Sequence, residues 1–401
     1  MILSAASAEA AVPRWKKKLQ RATNSRHVSV RVTRGHKVLV DKRSSWMRIP
    51  ASNQKLLLSM ALLGKLGPRA RFRTTALAEP KAAPLADAGR PNIKDGVLRS
   101  HLWIAGRGDP TLSSTRGGYG GWLAVEPTWV GDLAREIKQA GIKRIAGRIV
   151  GVRSYFKHDW YAPGWKEDFP RRYVALPSAL ALNGNQQEGR HVSDPEWHLA
   201  RALTQKLEEM KIWVRGNPRS GDRPGRAVHL AHVDSRPLKA LLRHMNRHSS
   251  NFFAEVLGKA LAVDAGHRPG TIRMGARTLR TWVAARGVEI RAHDGSGLSY
   301  ANRVSARGIV RLLQRAERAG WGDELFGSLP KAGWGTLQNR LSGVRLRAKT
   351  GTLDHVSSLS GWLWLRKSER WARFSILING LPSWEAKERE DSIVRLVARN
   401  F

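Results

Sequence analysis

A serine and a lysine three residues apart stand at the start of an apolar stretch. Ser52 and Lys55 follow Pro50 and precede the run from Leu56 to Leu63. If this run is a helix, positions i and i+3 share a face, and the hydroxyl and the amine lie within reach of each other. A serine nucleophile needs a base beside it, and burial lowers the pKa of a lysine so that it can be that base. The pair predicts nucleophilic catalysis, although alone it also fits a serine near a helix start with a solvated lysine.

Two further polar motifs lie in the second half of the chain. Ser249 and Asn251 occupy a turn between two predicted helices. Lys349, Thr350 and Gly351 stand in a polar segment that precedes two apolar strands. Taken alone, the first motif fits an ordinary polar loop between helices. It is the order of the three motifs, each in a suitable local setting, that indicates a shared site.

Composition bounds the class of protein. The chain has 401 residues, 41% of them apolar, which is enough for two domains or for one large domain with an insertion. It has no cysteine, which excludes disulfides, thiolate metal sites and cysteine nucleophiles. No run of 18 or more apolar residues occurs, so no membrane-spanning helix is predicted.

The charge is unusual. Lys and Arg number 70 and Asp and Glu 32, which gives a net charge of +38 spread along the whole chain. Such a field attracts polyanions, and the candidates are nucleic acid, anionic cell-envelope polymers and lipid surfaces. No zinc finger, RNA-recognition signature or basic heptad helix occurs, so we predict no specific nucleic-acid partner.

Residues 1–12 are rich in alanine and resemble the end of a secretory signal, with Ala6-Ser7-Ala8 or Ala8-Glu9-Ala10 as a cleavage site. The charged start and the full apolar region of such a signal are missing. The segment is either the remnant of a truncated signal or a plain disordered terminus. On the first interpretation the protein is exported and works outside the cytoplasm, in the periplasm or cell envelope.

Apolar periodicity and cap residues predict an α+β architecture. The predicted elements are a hairpin over 27–41, helices over 52–66, 129–140, 195–210, 305–318 and 383–399, and strands over 145–152, 358–365 and 371–379. Asp194 or Ser193, then Ser305 and Ser383, are the expected caps of the last three helices. Residues 13–75 and 228–401 are expected to form one domain. Glycine, proline and short apolar runs dominate residues 76–227, which are expected to form an inserted accessory domain.

Together the motifs resemble a known signature. Ser52-Asn53-Gln54-Lys55, Ser249-Ser250-Asn251 and Lys349-Thr350-Gly351 resemble the three motifs of penicillin-binding proteins and serine β-lactamases. The flanking segments 108–112, 178–183, 294–299 and 348–353 look like the D-alanyl-D-alanine carboxypeptidase/endopeptidase family, the class C low-molecular-mass penicillin-binding proteins. The long insertion between the first two motifs favours this family over β-lactamases. The resemblance implies a penicillin-binding, serine β-lactamase-like transpeptidase domain, with an antiparallel sheet flanked by helices.

The resemblance also implies a role for each matching residue. Ser52 would be the acylated nucleophile and Lys55 its base. Ser249 would pass a proton to the leaving amine, and Asn251 would hold the substrate amide and Lys55. Lys349 would steady Ser249 electrostatically.

Three further positions would bind substrate. Thr350, together with Lys349, would hold the terminal carboxylate of D-alanine. Gly351 would let the backbone approach closely, and the backbone N–H groups of Thr352 and Ser52 would form an oxyanion hole. No metal or other cofactor is required by this chemistry.

The function that the resemblance implies is that of an exported serine DD-peptidase. It would act on peptidoglycan stem peptides as a carboxypeptidase, an endopeptidase or both, and β-lactams would acylate it. Its charge would hold it near anionic envelope polymers. Two alternatives stay open: a β-lactam-hydrolysing enzyme on the same scaffold, and a non-catalytic basic protein that binds polyanions or cell wall and has a retired active site.

The chain departs from the family in two places. Only the short segment from Gln186 to Pro195 stands where the family has a third, β-rich domain, so we expect that domain to be missing or reduced to a loop. The family commonly has an aspartate that receives the side-chain ammonium of diaminopimelate, where this chain has Val152 and Arg153. Arg153 is either a site for an anionic group of the stem peptide or an ordinary surface arginine. Asp294 is expected to shape its loop rather than to act as an acid.

Overall fold

The computed structural model describes residues 12–81, 89–115 and 117–401. Its α-helices are α1 Arg14–Thr23, α2 Gln54–Leu66, α3 Tyr119–Trp122, α4 Val130–Gln139, α5 Phe169–Arg172, α6 Pro195–Glu209, α7 Leu238–His248, α8 Asn251–Asp264, α9 Ile272–Ala284, α10 Ala306–Ala316, α11 Gly322–Ser328 and α12 Ser383–Asn400. Within these residues, no helix combines the length and the apolar composition that crossing a membrane requires. Residues 1–11, which carry the predicted signal remnant, lie outside the described residues.

The strands belong to two larger sheets and to short pairs. They are β1 Val28–Arg34, β2 Lys37–Lys42, β3 Met47–Arg48, β4 Arg73–Ala78, β5 Ile93–Lys94, β6 Val97–Leu98, β7 Leu102–Gly106, β8 Leu112–Ser113, β9 Thr128–Trp129, β10 Arg144–Val152, β11 Gln186–Gln187, β12 Arg190–His191, β13 Trp213–Gly221, β14 Val228–Asp234, β15 Val304–Ser305, β16 Leu346–Leu353, β17 Val356–Leu365 and β18 Arg370–Asn379. Short 3-10 turns occupy Ala51–Asn53, Leu182–Asn185 and Gly335–Leu337. The predicted elements are all present, with ends that differ by a few residues.

The first sheet is antiparallel and has the strand order β16-β17-β18-β1-β2. The alternating Val28, Val30 and Val32 of β1 are buried and pack with residues of α1 and α12 on one face. Helix α10 packs on the other face, against β1 and β18. Helices on both faces of an antiparallel sheet confirm the predicted α+β class.

Helix α2 lies at the centre of the helical layer. Residues 54–63 are buried without interruption, because α2 packs against α7, α8 and α9. A helix that is apolar on all sides belongs in a core, which explains why the run from Leu56 to Leu63 shows no polar face. Its buried position holds the preceding turn, Ala51–Asn53, against β16 and β17.

The second sheet is mixed and has the order β14-β4-β7-β10-β6-β5, with β13 also paired to β10. Strand β10 runs parallel to β6, β7 and β13, and α4 and α6 pack with this sheet in a core of their own. Its strands begin at Arg73 and end at Asp234, so the sheet extends beyond the predicted limits of 76 and 227. Phe156, Ala175 and Ala179 also come from the inserted segment, but they pack with α2, α7 and α8 and not in this core.

The segment where the family resemblance led us to expect a missing third domain forms only the hairpin β11–β12. Asp194 then caps α6, since its side chain accepts from the backbone N–H of Trp197. Ser305 caps α10 in the same way. The predicted cap of α12 was wrong: the hydroxyl of Ser383 donates to the backbone oxygen of Leu353, 3.1 Å away, because the end of β16 lies within its reach.

Candidate active site

The turn that carries Ser52 is fastened to the sheet by two buried polar side chains. The Asn53 amide donates to the Lys349 backbone oxygen at 3.1 Å and to the Ser358 hydroxyl at 2.6 Å. The Ser358 hydroxyl in turn donates to the Pro50 backbone oxygen at 2.6 Å. Neither Asn53 nor Ser358 was singled out in the sequence. They fix Ser52 beside strands β16 and β17.

Close backbone approach makes two glycines necessary here. A Cβ on Gly351 would lie 2.3 Å from the Ser358 hydroxyl and 2.8 Å from the backbone nitrogen of Ser52. A Cβ on Gly297, which has a φ of +87°, would lie 2.0 Å from the backbone oxygen of Ala51. Separations below 3 Å are far inside van der Waals contact, so larger residues would displace the turn. Gly351 therefore lies where the sequence predicted a close approach.

Lys55 is fully buried, and its amine forms hydrogen bonds to three neutral oxygens. Its Nζ lies 2.9 Å from Ser52 Oγ, 2.7 Å from Asn251 Oδ1 and 2.5 Å from the backbone oxygen of Ser296. Burial lowers the pKa of Lys55 to about 7, against the opposing influence of Asp294 and Glu255. A lysine with this pKa loses its proton near neutral pH. An uncharged amine at this distance is chemically able to accept a proton from the Ser52 hydroxyl.

A second serine and lysine face the first pair. Ser249 follows α7 in the left-handed conformation, with φ +54°, and its hydroxyl accepts from Lys349 Nζ at 2.9 Å. Lys349 is also fully buried and donates to the backbone oxygen of Thr350 at 2.8 Å. Burial, and then repulsion from Lys55, holds the pKa of Lys349 well below its usual range. The site thus contains two hydroxyl groups, each beside an amine that is easily deprotonated.

Asn251 is the first residue of α8 and bridges the two halves of the site. Its Oδ1 accepts from Lys55, and its Nδ2 donates to the backbone oxygen of Tyr173 at 3.1 Å. Ser250 caps the helix by accepting from the backbone N–H of Phe253. The five residues predicted to act in catalysis are therefore brought together, and residues 157–177 approach them from the inserted segment.

The loop of residues 294–299 positions Lys55 from behind. Glu255 accepts from the backbone N–H of Ser296 at 2.7 Å and from that of Gly295 at 3.1 Å. The backbone oxygen of Ser296 then accepts from Lys55. Burial, and then repulsion from Asp294, raises the pKa of Glu255 to about 7. Glu255 was not noticed in the sequence, where it looks like one polar residue in an apolar helix.

Asp294 shapes this loop, as the sequence predicted. Its two oxygens accept from the backbone N–H groups of Gly297 at 3.0 Å and Ser299 at 2.8 Å. It also accepts from Asn302 Nδ2 at 2.7 Å and from Trp165 Nε1 at 2.7 Å. The Trp165 bond ties the inserted segment to the loop that supports Lys55.

A third buried lysine clamps the inserted segment onto α8. Lys259 Nζ donates to the backbone oxygens of Lys157 at 2.9 Å and Pro177 at 2.8 Å, and it forms an ion pair with Asp159 at 2.6 Å. Lys259 lies on the same helix as Asn251. The clamp therefore holds residues 157–177 in place against the helix that carries Asn251.

Ser52 opens onto a cleft of about 310 Å³. Its lining residues come from the inserted segment, residues 76–227, and from the rest of the chain. They are Ser52, Phe169, Tyr173, Ser249, Asn251, Leu298, Tyr300, Thr352, Leu353, Asp354 and Ser383. A larger groove of about 1060 Å³ shares Tyr173, Ser249 and Asn251 with this cleft and is lined by the inserted segment on one side and by the turn between α7 and α8 on the other. Thr350 lies deeper, where its hydroxyl donates to that of Thr336 at 2.7 Å. Thr352 thus lines the cleft beside Ser52, whereas Thr350 is buried and does not line it.

The two residues at the family's departure point lie outside these cavities. Val152 is buried and packs with Trp103 and Val150. Arg153 forms an ion pair with Asp194 at 2.7 Å. Of the two interpretations of Arg153, the structure favours the surface arginine, because its charge is already paired.

The sequence of this chain is similar to those of known carboxypeptidases. The model of the D-Ala-D-Ala carboxypeptidase 3 family matches residues 15–190 and 185–400. A D-alanyl-D-alanine carboxypeptidase of Actinomadura sp. is 26% identical over 425 residues, covering 83% of this chain and 73% of the relative. A carboxypeptidase DacB of Mycolicibacterium smegmatis is 30% identical over 355 residues, covering 82% of this chain and 71% of the relative.

Solved structures share the fold. Penicillin binding protein 4 of Haemophilus influenzae has a TM-score of 0.76 at 21% identity and covers 96% of this chain and 98% of its own. The same protein complexed with a β-lactam gives a TM-score of 0.73 at 20% identity, with the same coverage. The match to the family model spans nearly the whole described chain. The chain therefore belongs to the D-Ala-D-Ala carboxypeptidase 3 family, a family of serine peptidases.

Proposed function

We propose that this protein cleaves D-Ala–D-Ala bonds of peptidoglycan stem peptides through an acyl-enzyme on Ser52. The observation that carries the proposal is the contact between Ser52 Oγ and Lys55 Nζ, 2.9 Å apart, with the pKa of Lys55 lowered to about 7. A nucleophile and a base within hydrogen-bond reach, at the mouth of a cleft, are what acyl transfer requires.

In the first step, neutral Lys55 takes the proton of Ser52 while Oγ attacks the carbonyl carbon of the penultimate D-alanine. The carbonyl oxygen becomes an oxyanion, for which we propose the backbone N–H groups of Ser52 and Thr352 as donors. Gly351, which packs against the Ser52 backbone nitrogen, brings this part of β16 next to the turn. One such donor contributes about 3–4 kcal/mol to transition-state stabilisation.

In the second step, the C–N bond breaks and the leaving D-alanine needs a proton on its amine. Ser249 is placed to supply it, and it recovers a proton through the amines of Lys349 and Lys55. We propose that Thr350 and Lys349 hold the carboxylate of the leaving residue. Water then attacks the ester on Ser52, with the same base, and releases the shortened peptide.

The two connected cavities support a long substrate. The 310 Å³ cleft at Ser52 fits a few residues of a stem peptide, whereas the 1060 Å³ groove adds space beyond Ser249 and Asn251. An endopeptidase must hold peptide on both sides of the cleaved bond, and a carboxypeptidase needs room for a single residue on the leaving side. We therefore propose DD-endopeptidase activity in addition to carboxypeptidase activity, with residues 76–227 as an accessory insertion that forms one wall of the groove.

Inhibition by β-lactams and a location outside the cytoplasm both follow from this proposed chemistry. A β-lactam presents a strained amide to Ser52 and leaves a long-lived ester, and a relative of the same fold has been solved with a β-lactam. Because the proposed substrate lies outside the cytoplasm, we propose that the protein is exported to the periplasm or cell envelope. Substitution of the Val152–Arg153 pair for the usual acidic residue predicts weak dependence on a side-chain ammonium in the substrate.

The test is the release of free D-alanine from a stem pentapeptide ending in D-Ala–D-Ala, with a DD-cross-linked dimer as the second substrate. Wild type is expected to cleave both, and Ser52→Ala neither. Ser360→Ala is a matched control, because Ser360 is a buried serine of β17 that bonds only to Ser375 among the described side chains. Equal cleavage by wild type and Ser52→Ala, or none by folded wild type, would contradict the proposal.

A further inference from the structure

A basic recess lies at the edge of the antiparallel sheet farthest from Ser52. Strand β16 forms one edge of this sheet, and β1 and β2 form the other, three to four strand spacings away, or about 14 Å to β1. The recess has a volume of about 480 Å³ and lies between the β1–β2 turn and α10. Its lining residues are Gly35, His36, Arg311, Gln314, Arg315, Arg318 and Arg373. It shares no residue with the Ser52 cleft.

The amphipathic pattern of α10 places the arginines there. Ile309, Leu312 and Leu313 are buried against the sheet, while Arg311 and Arg315 are exposed on the opposite side. These two residues are one turn apart, a rise of about 6 Å along the helix. Arg318 follows in the turn after α10 and is also exposed. The three arginines therefore follow one another along one wall of the recess, and Arg311 also donates through Nη1 to the backbone oxygen of Gly287 at 2.9 Å.

Hydrogen bonds hold the two walls in place. Gln314 Nε2 donates to the hydroxyl of Thr33 in β1 at 3.3 Å. Arg373 of β18 donates through Nη1 to the backbone oxygen of Gly35 in the turn at 3.2 Å. The recess is thus a feature of the folded sheet and helix rather than a chance arrangement of long side chains.

The charge in the recess is not neutralised. Glu317, the acid next to it, already accepts from Arg373 Nε at 2.7 Å and from Trp362 Nε1 at 2.6 Å. Among the residues that the structure describes, no acidic side chain lines the recess and no ion pair involves Arg311, Arg315 or Arg318. Uncompensated like charges in a concave surface repel one another and attract anions.

A further arginine strengthens this field. Arg286, which follows the C-terminal end of α9, stacks on Trp282, with its guanidinium carbon 3.5 Å from the ring centre. Burial, and then repulsion from Arg315, lowers the pKa of Arg286. Arg286 is thus fixed close enough to Arg315 to add its positive charge to that side of the recess.

We propose that the basic recess binds the phosphate groups of a single-chain phosphodiester polymer. Guanidinium groups bind phosphate oxygens in pairs of hydrogen bonds, and three of them in a row suit successive phosphates of one chain. A narrow concave site admits such a chain more readily than a flat bilayer or a wide duplex. Because the recess is separate from the cleft, the polymer would hold the protein in place while Ser52 stays accessible.

The test measures binding of a fluorescent poly(glycerol phosphate) chain. The recess variant is Arg311→Gln/Arg315→Gln/Arg318→Gln, and the matched control is Arg215→Gln/Arg223→Gln/Arg226→Gln, three exposed arginines on and beside β13. Both variants lose the same charge. We expect affinity to fall at least about 30-fold in the recess variant and less than about 3-fold in the control, with a shallower salt dependence only in the former.

Equal losses in the two variants would overturn the inference, because they would show that the charge acts diffusely. The inference would also be overturned if anionic lipid vesicles or duplex DNA displaced the labelled chain more strongly than unlabelled polymer does, and if the recess variant no longer bound those competitors. Inorganic phosphate should compete only weakly. Circular dichroism and the melting temperature check the fold of each variant, and the single change Arg315→Gln, expected to weaken binding by about 3-fold, replaces a triple variant that fails to fold. Because this check does not depend on Ser52, a failure of polymer binding counts against this inference alone, and a failure of Ser52 acylation counts against the proposed function alone.

Discussion

Lys55 and Lys259 are both fully buried, yet their surroundings give the two amines different tasks. Lys55 contacts a hydroxyl, an amide oxygen and a backbone carbonyl, all neutral. Lys259 contacts backbone carbonyls and, in addition, the carboxylate of Asp159 at 2.6 Å. Burial lowers the pKa of both lysines, and carboxylates oppose that shift at both. At Lys259 the opposing Asp159 is in direct contact, whereas at Lys55 Asp294 and Glu255 act without a hydrogen bond to the amine. The comparison teaches that the partner, not burial alone, separates a lysine suited to chemistry from one suited to holding segments together.

The largest expected effect comes from Lys55→Met. Loss of the base should reduce the rate of Ser52 acylation by at least about 10³-fold. The free energy of unfolding should change by less than about 2 kcal/mol, because a buried amine is replaced by an apolar side chain of similar length. Stopped-flow acylation and urea denaturation measure the two quantities. A variant that unfolds readily but acylates normally when folded would reverse the comparison.

Lys259→Met should have the opposite profile. It leaves Asp159 without its cation, and the free energy of unfolding should fall by about 3 kcal/mol. In the folded fraction at low temperature, acylation should fall much less than in Lys55→Met. The double change Lys259→Met/Asp159→Asn should recover part of the stability, because it removes the unpaired charge. A stable Lys259→Met protein with no acylation would show that Lys259 takes part in the chemistry.

The pH profile sharpens the assignment of the base. The proposed base, Lys55, can accept a proton only when its amine is neutral, and its pKa is lowered to about 7, so acylation should rise with pH and level off above that value. Below about pH 6 the rate should fall close to tenfold per pH unit.

Glu255 titrates in the same range, since its pKa is also raised to about 7. Glu255→Gln distinguishes the two groups. The carboxylate raises the pKa of Lys55, so its removal should move the midpoint of the profile to lower pH, by less than about one unit. Disappearance of the pH dependence in Glu255→Gln would instead assign it to Glu255.

Local sequence signals predicted the helices and strands well, and they named five candidate site residues that the structure places together. Helix α6 begins at Pro195 after Asp194, and α10 begins after Ser305, because a cap depends only on residues a few positions away. The five candidates, Ser52, Lys55, Ser249, Asn251 and Lys349, could be named because each lies in a short motif. Ser383 shows where local signals fail. Its hydroxyl donates to the backbone oxygen of Leu353 at the end of β16, a contact that the residues around Ser383 do not predict.

The supporting residues could not be read from the sequence, because their partners are far away along the chain. Asn53 bonds to Ser358 and Glu255 to the backbone of Ser296, and neither pair forms a motif. Lys259 looks like one polar residue in an apolar helix until the fold brings Asp159 to it. For the same reason the sheet of the inserted segment extends beyond its predicted limits: β4 and β14 pair although their partner residues are 150 to 161 positions apart in the chain.

The central claim is that Ser52 is the nucleophile of an acyl-enzyme. Incubation with a fluorescent penicillin, followed by denaturing electrophoresis and peptide mass spectrometry, tests it most directly. We expect a covalent label on the peptide that contains Ser52 in wild type and in Ser360→Ala, and none in Ser52→Ala. A label that persists in Ser52→Ala, or a folded wild type that takes no label, would contradict it.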